Sequence, residues 1–296
     1  MPFVQLTDGR LHYQLEGPAG APLLVLSNSL GTDLHMWDAQ MPAFTEHFRV
    51  LRYDTRGHGH SLVSEGFYSI EQLGRDVLAL LDALDIAKAH FCGLSMGGLI
   101  GQWLAINAGE RLDKLVLCNT AAKIASPEVW NPRIDSVLRD GQAAMQALRD
   151  ASIARWFTAA FAAAEPAKIE PVVAMLAQTS SQGYAANCAA VRDADYREQL
   201  GAIRAPTLIV AGSADPVTTV ADAVLAEPPG TGFVVQVAAV RQRAEANTIA
   251  RRLSIRFQSH RRDRPAPTTP TSIRSAPHSG HRPPCSVPSS YPHPPH

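Results

Sequence analysis

Short apolar runs bounded by turn residues recur along the chain: "PLLVLSNS", "FRVLRYD", "AHFCG", "DKLVLCN" and "APTLIVAGS". Each suits a strand covered on both faces, and segments of helical periodicity separate several of them. That alternation predicts an α/β fold with a mostly parallel central sheet flanked by helices. Ahead of it, "MPFVQLTDGRLHYQLEG" alternates apolar and polar residues, which predicts a strand pair turning at Asp8-Gly9. The clearest helix is predicted over Ser69 to Leu84. Ile70, Leu73, Val77, Leu80, Leu81 and Leu84 make one apolar stripe, and Ser69 with Gln72 makes a capping box before it.

From about Lys123 to Leu200 the strand signals stop. "ARWFTAAFAAAEPAKIEPVVAMLAQ" is Ala-rich and helical, with Pro166 and Pro171 expected as breaks. The predicted organisation is a first part of the core over residues 1–122, an inserted helical cap over 123–200, an atypical C-terminal part of the core over 201–257, and a tail over 258–296. The stretch "RRDRPAPTTPTSIRSAPHSGHRPPCSVPSSYPHPPH" holds ten of the chain's 22 prolines, and its composition predicts disorder. Such Arg, Pro, Ser, Thr and His enrichment is what GC-rich DNA encodes out of frame. The expectation is therefore a frameshift upstream of the tail, which the DNA read in all three frames beyond codon 222 decides.

Composition narrows the function classes. A chain of 296 residues with 46% hydrophobic content can bury one large core with an inserted subdomain. Its zero net charge gives no electrostatic case for nucleic acid or an anionic membrane as partner. No apolar run approaches the roughly 20 residues of a spanning helix. The opening residues lack the pattern of a signal peptide, so a cytoplasmic protein is expected. Four cysteines without a Cys-x-x-Cys pair argue against a disulfide framework and a zinc site. Cys92 and Cys118 read as small buried residues.

The chemistry is carried by "AHFCGLSMGGLIGQ", in which Gly93-Leu94-Ser95-Met96-Gly97 matches G-x-S-x-G between a predicted strand and a predicted helix. Such an elbow needs small flanking residues, because Ser95 would sit in a strained turn at a helix N-terminus. A Gly-rich turn without chemistry is the plain alternative. An oxyanion hole needs two converging backbone N–H groups. Met96 is one candidate, and Leu30 in "LSNSLGTDLHMW" is the other, with Gly31 allowing a close turn. Asp215, at the carboxyl end of "APTLIVAGSADPVT", is the candidate acid, since the acid follows Ser in chain order in such hydrolases. A helix-capping Asp before Pro216 is the alternative there. "RYDTRGHGHS" reads as a structural turn, with Asp54 pairing Arg56 or capping a loop. His58 and His60 precede Ser95, the wrong order for the base, and His35 is expected to line or close the pocket.

"LSNSLGTDLHMWDAQMPAF", "RYDTRGHGHS", "FCGLSMGG", "NTAAKI", "ASIARWFT", "GYAANCAAVRDADYREQL" and "IRAPTLIVAGSADPVT" together resemble the 3-oxoadipate enol-lactonases of the α/β-hydrolase superfamily, over about residues 1–222. The elbow and "DTRGHGHS" specify the superfamily, and the cap segment carries the finer likeness. The resemblance implies hydrolysis of 3-oxoadipate enol-lactone to 3-oxoadipate in bacterial aromatic catabolism, on a small-molecule lactone substrate and without cofactor or metal. It implies Ser95 as nucleophile and an acyl-enzyme intermediate. Arg133 and Arg155, beside Trp130 and Trp156, become candidates for the substrate carboxylate, because Arg can grip a carboxylate with two N–H groups. Each could equally be a solvated surface charge.

The resemblance also places a base His in the loop after the last strand, roughly 25–30 residues beyond the acid. There "TGFVVQVAAV" ends in Ala238-Ala239-Val240. Val240 cannot accept a proton, and the tail histidines lack Asp215 as orienter. The chain is therefore expected to be weak or inactive as a lactonase. Two other readings stay open: another small α/β-hydrolase, such as a carboxylesterase or cofactor-free perhydrolase, and a catalytically silent ligand-binding relative.

Overall fold

The computed structural model describes residues 1–219 and Asp222. Along them run β1 (Phe3–Leu6), β2 (Gly9–Glu16), β3 (Leu23–Ser27), α1 (Met41–Thr45), β4 (Arg49–Tyr53), α2 (Ile70–Ala83), β5 (Ala89–Leu94), α3 (Met96–Asn107) and β6 (Leu112–Cys118). Then follow α4 (Pro127–Asp140), α5 (Gln142–Trp156), α6 (Ala159–Ala164), α7 (Pro166–Gln178), α8 (Ser181–Asp193) and β7 (Thr207–Val210). The seven strands lie in the order β1-β2-β4-β3-β5-β6-β7. β1, β2 and β4 pair antiparallel, while β4, β3, β5, β6 and β7 pair in parallel. This is the mostly parallel sheet that the apolar runs predict.

The local sequence explains the elements that frame the site. β3 and β5 are nearly continuous apolar runs, mostly buried, and α3 packs against both. In α2 the predicted stripe is buried from Ile70 to Leu81, and the Ser69 hydroxyl accepts the Gln72 N–H at 3.1 Å. α3 is apolar all round and buried from Met96 to Ala105, as a central helix must be.

Two local expectations need correction. Gly9 pairs with Leu6 in the first hairpin, so its turn is Thr7-Asp8, one residue earlier than expected. Pro166 opens α7, but Pro171 lies inside that helix and does not break it. The face carrying Ile169, Val173 and Leu176 is buried, and that packing outweighs the lost amide donor.

Between β6 and β7 the described chain is helical, with α4 to α8 forming the inserted segment. Its α8 lies against the "RYDTRGHGHS" loop. Asn187 Nδ2 donates to the Arg56 carbonyl at 2.8 Å, and the Tyr68 N–H donates to the Ala186 carbonyl at 3.2 Å. Gly57, with φ of +83°, and Gly183 touch backbone to backbone, leaving no room for a Cβ on either. The last strand expected in "TGFVVQVAAV" and the tail over 258–296 lie outside the described residues.

Candidate active site

Ser95 follows β5 directly and caps α3, with φ 54° and ψ −112°. A non-glycine residue held there stores of order 1–3 kcal/mol of strain and needs its surroundings to fix it. They do. The Ser95 N–H donates to the Cys118 carbonyl at 2.9 Å, and its own carbonyl accepts from Thr120 Oγ1 at 2.8 Å and from the Gly98 N–H at 2.9 Å. A Cβ at Gly93 would run into the Gly97 carbonyl, and one at Gly97 into the Ser27 carbonyl. The small residues that flank Ser95 are therefore demanded by backbone contact.

The loop after β3 is tied to this elbow. The Gly97 N–H donates to the Asn28 carbonyl at 3.0 Å, while Asn28 Nδ2 donates to the Tyr53 carbonyl and Trp37 Nε1 donates to Asn28 Oδ1. Ser29 to Thr32 form a tight turn, closed by the Thr32 N–H donating to the Ser29 carbonyl at 3.2 Å. Gly31 has φ of +82°, the value of a type II turn at this position. Leu30 and Met96 thus sit in adjoining turns of one hydrogen-bonded frame, both with buried side chains. His35 is half-exposed on the short helix Leu34–Trp37, with Nδ1 3.0 Å from Asp38 Oδ2.

Asp215 stands just beyond β7 and accepts four hydrogen bonds among the described residues. Oδ1 accepts from the Val217 and Thr218 N–H groups at 2.8 and 3.0 Å, and Oδ2 accepts from Asn119 Nδ2 at 2.6 Å and Thr218 Oγ1 at 2.9 Å. Burial pushes its carboxyl up, but these donors outweigh burial and hold it below the ordinary carboxylate value. The turn-capping contacts match the capping alternative as well as the catalytic one. Asn119 links Asp215 to the end of β6, next to the carbonyl that receives the Ser95 amide. Sequence reasoning missed Asn119, because nothing local marks a partner 96 positions away, and it missed Thr218, which is only three positions from Asp215.

In the inserted segment, Trp130 is buried with Nε1 donating to the Ile124 carbonyl at 2.8 Å, and the Arg133 guanidinium lies 5.0 Å from its ring. Arg155 is half-buried beside half-buried Trp156 and donates to Ser152 Oγ at 2.8 Å. Burial lowers the Arg155 pKa, and the like charge of Arg133 lowers it further. Arg133 also reaches the buried Tyr184 hydroxyl. Neither arginine pairs with a carboxylate among the described residues.

Asp54 does not pair with Arg56. Its carboxylate accepts from the Leu34 and His60 N–H groups, each at 2.9 Å, and lies 2.8 Å from His12 Nδ1. Arg56 instead clasps Asp76 through Nε and Nη2, both at 2.7 Å, and also meets Asp8. Cys92 is buried and Cys118 half-buried, with their sulfurs 3.9 Å apart. No group of three or more metal-ligating side chains occurs among the described residues. Val240 lies outside them.

Comparison with known proteins agrees with this frame. The profile of the alpha/beta hydrolase fold family matches residues 22–227. A 3-oxoadipate enol-lactonase of Acinetobacter baylyi is 47% identical over 215 residues, spanning 73% of this chain and 79% of that protein. A putative carbamate hydrolase, RutD, of Variovorax paradoxus is 33% identical, over 69% of this chain and 78% of that one. The crystal structure of the enol-lactonase from Burkholderia xenovorans LB400 superposes with a TM-score of 0.79 at 43% identity, covering 87% of this chain and all of that one (100%). The chain belongs to the alpha/beta hydrolase fold family, and the relatives it matches at 47% identity are enol-lactonases.

Proposed function

We propose that this chain descends from, and keeps the site of, a serine hydrolase of 3-oxoadipate enol-lactone acting in the cytoplasm, and that it lacks the base. The observation that carries the reading is Ser95, fixed in a strained conformation at the N-terminus of α3 by contacts a mere turn does not need. Ser95 Oγ attacks the lactone carbonyl, forming the Oγ–C bond. The negative oxygen is met by the Leu30 and Met96 N–H groups. Collapse breaks the ring C–O bond and expels the enol oxygen, a good leaving group, and water then releases the diacid. Arg133 and Arg155, two near cations without a carboxylate partner among the described residues, receive the substrate's free carboxylate against Trp130 and Trp156.

Asp215 is the acid that would orient an imidazole. With Val240 at the family's base position, proton removal from Ser95 and from water falls to solvent. Loss of one triad member leaves roughly 10³–10⁴-fold catalysis over water from the oxyanion hole and binding. Deacylation then becomes slow enough for an acyl-enzyme to be caught. Intact-mass analysis after incubation with the enol-lactone should show one acyl adduct, mapped to the Ser95 peptide and absent from Ser95→Ala. An adduct elsewhere, or none while the lactone is turned over, overturns the assignment. A faster reaction with p-nitrophenyl acetate than with the enol-lactone would favour a general carboxylesterase. The second reading, a silent binding relative, rests on Val240; ligand binding without any Ser95-dependent chemistry would support it.

A further inference from the structure

The "DTRGHGHS" segment takes no part in the chemistry above, yet His58 reaches directly into the oxyanion loop. His58 is buried, and its Nε2 lies 2.9 Å from the Gly31 nitrogen. Nδ1 faces the Arg56 carbonyl at 3.3 Å, so the ring carries its proton on Nδ1 and accepts at Nε2. Burial depresses the His58 pKa to about 4, which keeps that acceptor lone pair free at neutral pH.

The turn needs such a partner. In Ser29-Leu30-Gly31-Thr32 the closing hydrogen bond joins Ser29 and Thr32 and leaves the central Leu30–Gly31 peptide free to rotate. Rotation of that peptide changes ψ of Leu30 and φ of Gly31 together and interconverts type I and type II turns. Leu176 and Tyr184 of the inserted helices lie over Gly31 and bury it, so an unpartnered N–H there would meet no water. A second bond from the same segment, the Leu34 N–H donating to Asp54 Oδ1 at 2.9 Å, pins the far end of the loop.

We propose that His58 is the positioning residue of the oxyanion loop, its neutral Nε2 accepting the Gly31 N–H and fixing the turn that presents the Leu30 N–H. This rests on the reading of Leu30 as an oxyanion donor. The latch is distinct from that reading, and the two fail separately.

The test uses the full chain, His58→Leu and His58→Gln, whose side-chain oxygen can stand where Nε2 stands. Amide hydrogen exchange should show Gly31 protected in the parent chain, about tenfold less protected in His58→Leu, and largely restored in His58→Gln, with β3 and β5 amides unchanged. Long-range imidazole nitrogen NMR should show His58 protonated on Nδ1 and bare on Nε2. Ser95-dependent release of p-nitrophenolate from p-nitrophenyl acetate should fall about tenfold or more in His58→Leu and recover in His58→Gln, with little change in KM. Equal Gly31 protection in all three chains, or a proton on Nε2, overturns the latch. Lost protection with an unchanged acylation rate shows that the bond is structural only, and overturns the positioning role. An acylation rate that is already independent of Ser95 in the parent chain refutes the serine reading, while the exchange result still decides the latch.

Discussion

At the scale of single residues, the positions proposed to carry chemistry are the ones a local pattern marks. Ser95 is announced by glycines that backbone contact requires, and Asp215 by the end of an apolar strand. Their partners were not legible, because Asn119, Thr120 and the Gly31–His58 bond join segments that only the sheet brings together. The buried His58 also makes a pH prediction. Its folded pKa of about 4 lies below the ordinary value of 6.5. Between these values the unfolded chain binds a proton that the folded chain refuses. Stability is therefore present in full above about pH 6.5 and falls as pH drops towards 4, by up to about 3 kcal/mol. Urea unfolding of the parent chain and His58→Gln across that window should show the difference between them shrinking as pH falls. A constant difference would contradict it.

At the scale of elements, periodicity marks α2 nearly to its ends, and the described strands to within about three residues. Pro171 misled because the cost of a proline inside a helix is visible locally, whereas the buried face that outweighs it is not. The docking of α8 was equally hidden, since the glycines that allow it lie 126 positions apart at Gly57 and Gly183. Gly183→Ala should lower unfolding stability by about 1–3 kcal/mol, since its Cβ would press on Gly57 backbone. Unchanged urea midpoints would show that the two segments can part without cost. The arginines of α4 and α5 yield a binding prediction. Arg133→Met and Arg155→Met should each weaken adipate, a simple dicarboxylate probe, about tenfold or more in calorimetric titration. Equal affinity in the double variant would remove the carboxylate site from that pair.

At the scale of the whole molecule, strand order, inserted helices and the placement of Ser95 beyond β5 and Asp215 beyond β7, parallel strands separated by β6, form one consistent frame. No helix among the described residues is long and apolar enough to cross a membrane. The family profile ends at residue 227, ahead of the position where a base is expected. On the proposed reading, with Val240 where a base is expected, the whole chain should combine a nucleophile site with slow chemistry. The most direct measurement is the rate of 3-oxoadipate enol-lactone hydrolysis by the full chain beside Ser95→Ala. We predict a rate roughly 10³–10⁴-fold above the uncatalysed reaction that disappears with the Ser95 hydroxyl. Equal rates with and without that hydroxyl would contradict the central claim.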